Sequence, residues 1–138
     1  MSDQTTTAKP AVLRPAEITP HERGGGARTI PLVTKRIGST SLLNGITEFE
    51  PKASIALHTH NCEESVMVLE GEAIAEIDGV AYAMAAGDTT WVPANLPHRF
   101  INASATQRMR IFWTYASVDA TRTLIATGDT RSIDSERS

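Results

Sequence analysis

The sequence lacks the features that mark disulfide-bonded, membrane-spanning or secreted proteins. Cys62 is the only cysteine in 138 residues, so no disulfide can form within the chain, which is typical of a reducing compartment. Its apolar runs fall far short of the ~20 residues that cross a bilayer. Residues 1–10 lack the basic start and apolar block of a secretion signal. We therefore expect a cytoplasmic protein with no membrane partner.

A concentration of positive charge is also missing. The 13 Lys and Arg residues are scattered among 16 Asp and Glu residues, and the formal net charge is -3. Proteins that bind nucleic acid neutralise runs of phosphates with basic stripes. We therefore expect no nucleic-acid partner.

The length suits one globular domain between two polar segments. Residues 1–26 mix Thr, Pro and charge and end in three glycines, so they bury little apolar area to offset their ordering entropy. The segment 118–138 is similarly polar. We predict a flexible N-terminal arm over 1–26, a β-barrel domain over 27–117 and a C-terminal tail over 118–138.

Helical periodicity is absent, and short β-rich runs alternate instead with Gly, Pro, Asn and Asp at intervals of roughly ten residues. The predicted strands are Arg28 to Thr34, Leu42 to Phe49, Ser54 to His58, Ser65 to Leu69, Glu72 to Ile77, Ala81 to Ala85, Thr89 to Val92, His98 to Asn102 and Met109 to Tyr115. Asp78-Gly79 suits a tight hairpin turn, since Gly tolerates a positive φ. The pattern predicts an antiparallel all-β sandwich or barrel.

Three histidines and one glutamate form a candidate metal site. His58 and His60 lie two residues apart on a strand and therefore share one face. Glu64 follows after a short turn, and His98 joins them only if the chain folds back into a barrel. Imidazole and carboxylate are good donors for Fe, Mn, Ni, Zn, Co or Cu. Four protein ligands on an octahedral ion leave two positions for water, a substrate or dioxygen.

The segments around these residues resemble the two sequence motifs of the cupin superfamily. The first motif is matched by His58-Thr59-His60, Glu64 and Gly71, and the second by Gly87, Pro93, His98 and Asn102. Lys52 and Asn95 stand where the family pattern has Gly. Only fifteen residues separate the motifs, which resembles the compact single-domain microbial cupins.

The resemblance implies an all-β, double-stranded β-helix or jelly-roll barrel. It also implies one divalent metal ion bound by His58, His60, Glu64 and His98, and pairing into a homodimer. The native metal is left open.

The leading functional hypothesis is a metal-dependent enzyme of the dioxygenase, isomerase or lyase type. Its substrate would be a small oxygen-rich organic molecule that chelates the ion, with Glu64 as a possible proton carrier. Phe100, Trp91 and Trp113 are the candidates for lining the substrate pocket. The alternative is a non-catalytic module that binds or senses a small molecule or the metal itself, and fold analogy cannot choose between them.

Overall fold

Two six-stranded sheets make up the fold of residues 9–133, the part of the chain that the computed structural model describes. In chain order the strands are β1 (His21–Gly24), β2 (Ala27–Pro31), β3 (Leu43–Phe49), β4 (His58–His60), β5 (Glu64–Glu70), β6 (Glu72–Ile77), β7 (Val80–Ala85), β8 (Thr89–Val92), β9 (His98–Asn102), β10 (Met109–Tyr115), β11 (Thr121–Leu124) and β12 (Thr130–Ser132). Two short 3-10 turns, Pro15–Glu17 and Lys35–Ile37, complete the regular structure of this region.

The sheets have the mixed strand order of a jelly roll. One sheet runs β1-β2-β3-β10-β5-β8 and the other β12-β11-β4-β9-β6-β7. Neighbouring strands in both sheets pair antiparallel. The predicted all-β jelly-roll fold is confirmed. None of the helical turns in the described region has the length and apolarity needed to cross a membrane.

Strand alternation builds the core between the sheets. Along β10, every second side chain from Met109 to Tyr115 is buried, and along β5 the buried row is Glu64, Val66 and Val68. These rows pack with Phe49 and Phe100, which are almost fully buried. Glu64 therefore begins an otherwise apolar row that points into the barrel.

Eight of the nine predicted strands match observed strands to within three residues at each end. The exception is Ser54 to His58. Ser54 forms only an isolated bridge with Ile101, and regular pairing starts where His58 lies opposite His98. The strand is therefore His58–His60 itself, and both histidines lie within it.

Both polar segments beside the predicted domain contribute strands. Residues 21–24 pair with β2, and residues 121–124 pair with β4. Part of each segment, residues 1–8 and 134–138, lies outside the described residues. The predicted domain boundaries and the flexibility of the arm stay predictions.

Backbone conformation explains the departures from the cupin motifs. Lys52 and Asn95, which stand in place of glycines, have φ of 64° and 65°, in the left-handed region that glycine adopts most easily. At the predicted hairpin turn, Asp78 and Gly79 have φ of 50° and 82° between paired residues Ile77 and Val80. Lys52 and Asn95 thus keep the backbone conformation of the two glycines that they replace.

Candidate metal centre

The four predicted ligands converge from both sheets. His58 and His60 lie on β4, and His98 begins β9 directly opposite His58. Glu64 begins β5 in the other sheet. The three imidazole ring centroids lie 4.5 to 4.9 Å apart, and all four side chains are at most 5% exposed. An ion bound here would join the two sheets.

Each imidazole is oriented by a backbone carbonyl. The Nδ1 atoms lie against carbonyl oxygens in three pairs: His58 with Ala56 at 2.6 Å, His60 with Thr121 at 2.9 Å and His98 with Leu96 at 2.8 Å. A carbonyl oxygen only accepts hydrogen bonds, so each Nδ1 carries the proton and donates. In a neutral ring the Nε2 atom is then left with its lone pair, as a metal ligand requires.

The Glu64 carboxylate faces the Nε2 side of the rings. Its Oε1 atom lies 2.9 Å from Nε2 of His98 and 3.6 Å from Nε2 of His60. The carboxylate and the imidazole nitrogens therefore share one small volume inside the barrel.

The site also shifts the pKa values of its members. Burial, together with the neighbouring His98 and His60, lowers the pKa of His58 to about 3. Burial alone would lower the pKa of His98, but the hydrogen bond to Glu64, the charge of Glu64 and the hydrogen bond to the Leu96 carbonyl together outweigh burial and raise that pKa. Burial would raise the pKa of Glu64, yet the same bond and the nearby rings bring it below its usual value. The arrangement thus favours positive charge beside an ionised Glu64.

The donor set fits a divalent metal ion. One ligand nitrogen from each of His58, His60 and His98 lies within 4.8 Å of the other two. Three imidazoles with fixed tautomers and one carboxylate match the nitrogen and oxygen ligands of Mn, Fe, Co, Ni, Cu or Zn sites. Orientation of each ring by a second hydrogen bond is the usual support of a metal-binding histidine. The residues present therefore fit the ion that the sequence predicts.

A small cavity of about 40 Å³ adjoins two of the four predicted ligands, His58 and Glu64. His58 and Glu64 line one part of it, and the rest is mostly apolar. Among the aromatic side chains in its wall are Phe100, Trp113 and Tyr115. Phe100 and Trp113 therefore lie in the wall of this cavity, and their contact with a substrate stays a prediction.

Trp91 is not in that wall, which corrects its predicted position. Its side chain is 65% exposed, and its Nε1 donates a hydrogen bond to Glu63 at 2.7 Å. The neighbouring Val92 is buried, and strand alternation therefore turns Trp91 to the outer face of β8.

Several residues that support the site come from outside the sequence motifs. The Tyr115 ring packs against His60 with centroids 4.6 Å apart, and the carbonyl that orients His60 belongs to Thr121 on β11. Arg23 and Arg122 line the cavity from β1 and β11. The alternating β-branched residues of Thr121-Arg122-Thr123-Leu124 are a strand signal that the polar composition of the tail obscured.

A known family matches both the fold and the site. The family model described as "Cupin domain" matches residues 45–115, which include all four predicted ligands. The match covers half of the chain, and the protein therefore belongs to the cupin family.

Several individual proteins are also similar to this chain in sequence or in structure. "Polyketide synthase CurC" of Streptomyces cyaneus is 32% identical over 106 residues, covering 75% of this chain and 68% of that protein. "Dimethylsulfoniopropionate lyase DddW" of Ruegeria pomeroyi is 32% identical over 76 residues, 55% of this chain and 50% of that protein. The polyketide cyclase RemF of Streptomyces resistomycificus aligns with a TM-score of 0.73 at 18% identity, over 91% of this chain and 86% of that one.

Proposed function

We propose that this cupin is a metal-dependent enzyme whose ion is held by His58, His60, His98 and Glu64. The observation that carries the proposal is the set of three Nδ1 to carbonyl hydrogen bonds. They place a proton on Nδ1 of all three imidazoles, and the Nε2 atoms of His60 and His98 face Glu64. A histidine cluster without a ligand to bind would have no need of this common orientation.

The substrate class we propose is a small organic molecule rich in carbonyl or phenol oxygens. A divalent ion, when bound, supplies Lewis-acid polarisation of such an oxygen. The names of CurC and RemF refer to polyketides, and the name of DddW refers to a lyase. These relatives favour bond rearrangement, of the isomerase or lyase type, over the dioxygenase alternative.

The residues around the site would shape it and exclude water from it. Phe100 and Trp113 supply apolar walls beside the ligands, which would exclude water and strengthen electrostatic effects on the bound oxygen. Glu64 is the carboxylate within the ligand set, and we propose it as the group that takes or returns a proton during the reaction.

The test is a turnover screen with defined metal forms. The protein is reconstituted separately with Fe, Mn, Co, Ni, Cu and Zn and incubated with diketones, catechols and unsaturated sugar acids. Product is followed by mass spectrometry and oxygen by an electrode. We expect at least one metal form to convert a member of the panel without oxygen uptake.

Other outcomes of the screen contradict parts of the proposal. Oxygen consumed in proportion to product would show a dioxygenase. Tight binding of panel members with no turnover by any metal form would show the non-catalytic module. Absence of metal binding would overturn the proposal at its base.

The homodimer and the cytoplasmic location are further proposals. Met67, Leu69 and Trp91 expose apolar surface on the outer face of β5 and β8, which supports self-association. Sedimentation at several concentrations tests the homodimer, with a monomer at all of them as the contradicting result.

A further inference from the structure

Two arginines from opposite sheets line the cavity beside the predicted ligands. Arg23 lies on β1, in the sheet that carries Glu64, and Arg122 lies on β11, in the sheet that carries the histidines. Both side chains are partly buried. They lie in segments that the sequence placed outside the barrel domain.

The same two arginines mark the boundary with a second, larger cavity. Its volume is about 450 Å³, and it shares Arg23, Ile55 and Arg122 with the inner cavity of about 40 Å³. The inner cavity holds only a few atoms, whereas the outer one lies within the size range of small-molecule sites, roughly 300–1,000 Å³. A substrate would therefore place its reacting group inside and its body outside, with the arginines at the junction.

Strand register places Arg122 in a row with a predicted ligand. It lies directly opposite His60 on β4 and directly opposite Arg131 on β12. Residues opposite each other in an antiparallel pair point to the same face, so Arg122 and Arg131 both point toward the cavity mouth. Guanidinium groups bind carboxylates through paired N–H donors, and an anion is therefore the group that suits this mouth.

The charges around the outer cavity agree with that assignment. Among residues 9–133, three arginines line it (Arg23, Arg122 and Arg131), together with two carboxylates (Glu22 and Asp129). Glu22 also lies 3.9 Å from Arg28, outside the cavity wall. In the inner cavity, Arg23 and Arg122 face one carboxylate, that of Glu64, together with the ring of His58.

A chain of hydrogen bonds holds the Arg23 guanidinium in place. Its Nη1 donates to Thr29 Oγ1 at 3.1 Å, Thr29 Oγ1 lies 3.4 Å from Thr47 Oγ1, and Trp113 Nε1 donates to Thr47 Oγ1 at 2.9 Å. Arginine carries five N–H donors in a rigid fork, more than this one bond uses. The fork is thus positioned before any ligand arrives, which reduces the entropy lost on binding.

We propose that Arg23 and Arg122 form a carboxylate-binding subsite, and hence that the substrate is an oxygen-rich organic acid. The carboxylate would bind at the junction of the two cavities, and the neighbouring carbonyl or phenol oxygen would extend toward the four predicted ligands. This inference rests on the proposed function, because it assigns the substrate class of the same site.

The test compares acids with their neutral counterparts. Salicylate and acetoacetate are titrated calorimetrically into the protein as purified, beside salicylamide and acetylacetone. We expect the acids to bind more tightly, and Arg23→Gln and Arg122→Gln each to weaken acid binding by about 10- to 100-fold, the loss typical of a charge-assisted bond. Binding of the neutral compounds should stay the same. The acid affinity of Arg122→Lys should lie between that of the unchanged protein and that of Arg122→Gln, because lysine keeps the positive charge but lacks the planar pair of N–H donors.

Controls separate this inference from the metal proposal. Arg36→Gln, at an exposed position in a 3-10 turn, should bind both acids as the unchanged protein does, and thermal melts check that each variant folds. Metal content, measured in parallel, should be the same in every variant. Equal affinity for acids and neutral compounds in the unchanged protein, or unchanged acid affinity in both glutamine variants, would overturn the subsite. A protein that binds no metal but loses acid binding on Arg23→Gln would support the subsite and contradict the metal proposal.

Discussion

His98 and Glu64 come from different sheets and lie 2.9 Å apart, between Nε2 and Oε1. Because Nδ1 of His98 already donates to the Leu96 carbonyl, a neutral His98 would present a lone pair to the carboxylate. Two lone pairs at this distance repel, so a proton or a metal ion must lie between them. Protonation of His98 meets that need in the absence of an ion, and a divalent metal meets it when one binds.

Replacing one imidazole should empty the metal site. We expect His60→Ala to lose metal affinity by more than the roughly 10- to 100-fold that follows loss of an outer hydrogen-bond partner of a ligand. Metal content of the purified variant, measured by mass spectrometry, checks this. His21→Ala is the matched control, since His21 lies on β1 and outside the cluster. Full occupancy in His60→Ala would show that the ligand assignment is wrong.

The Glu64 carboxylate should contribute both to metal affinity and to turnover. Glu64→Gln keeps the side-chain shape and removes the charge, and we expect metal affinity to fall at least about tenfold. At saturating metal, turnover of the substrate found by the screen should still be lost if Glu64 carries the proton. Glu63→Gln is the control, because Glu63 is exposed and contacts Trp91 instead. Normal turnover by metal-loaded Glu64→Gln would remove Glu64 from the chemistry.

Metal binding should stabilise the fold, because the ligands belong to both sheets. An ion that binds only the folded chain contributes about 2.7 kcal/mol at 100 times its dissociation constant. At roughly 4 °C per kcal/mol, this corresponds to a rise in melting temperature on the order of 10 °C. Scanning calorimetry with graded metal and with a chelator measures the rise. The same titration of His60→Ala should show little change, and an equal rise there would indicate binding elsewhere.

The close packing at Gly45 gives a prediction that is independent of the metal. A Cβ atom at this position would lie 2.6 Å from the Ile30 carbonyl oxygen and 2.6 Å from Cζ2 of Trp113. We expect Gly45→Ala to destabilise the fold by about 1–3 kcal/mol, since neither neighbour can move without disturbing β2 or the cavity wall. Urea unfolding measures the change, with Ser65→Ala on the outer face of β5 as the control. Stability unchanged by Gly45→Ala would show that Trp113 is not held against β3.

The parts of the fold and site that alternation and motif spacing determine were predictable from sequence. Val66 and Val68 share parity with Glu64, so one inward row on β5 followed directly from the residues. Phe100 shares parity with His98, so its place on the inner face of β9 also followed from the residues, and it lines the cavity.

The remaining features depend on contacts between distant strands. The partner of His60 Nδ1 is the backbone carbonyl of Thr121. Any residue has such a carbonyl, so the sequence does not show which one lies beside His60. For Trp91, the missing information was which face of β8 is buried, because alternation alone does not say which set of side chains points into the barrel. Arg23 and Arg122 meet at the cavity only because β1 and β11 join opposite sheets.

X-ray absorption spectroscopy of the metal in the purified protein tests the central claim most directly. We predict one ion per chain with three imidazole nitrogens at about 2.0–2.1 Å if the metal is zinc, together with carboxylate oxygen at about 2.0–2.2 Å. In His98→Ala, loaded with excess metal to offset its weaker affinity, the imidazole scattering should fall to two rings. A spectrum without imidazole scattering, or one that His98→Ala leaves unchanged, would contradict the account.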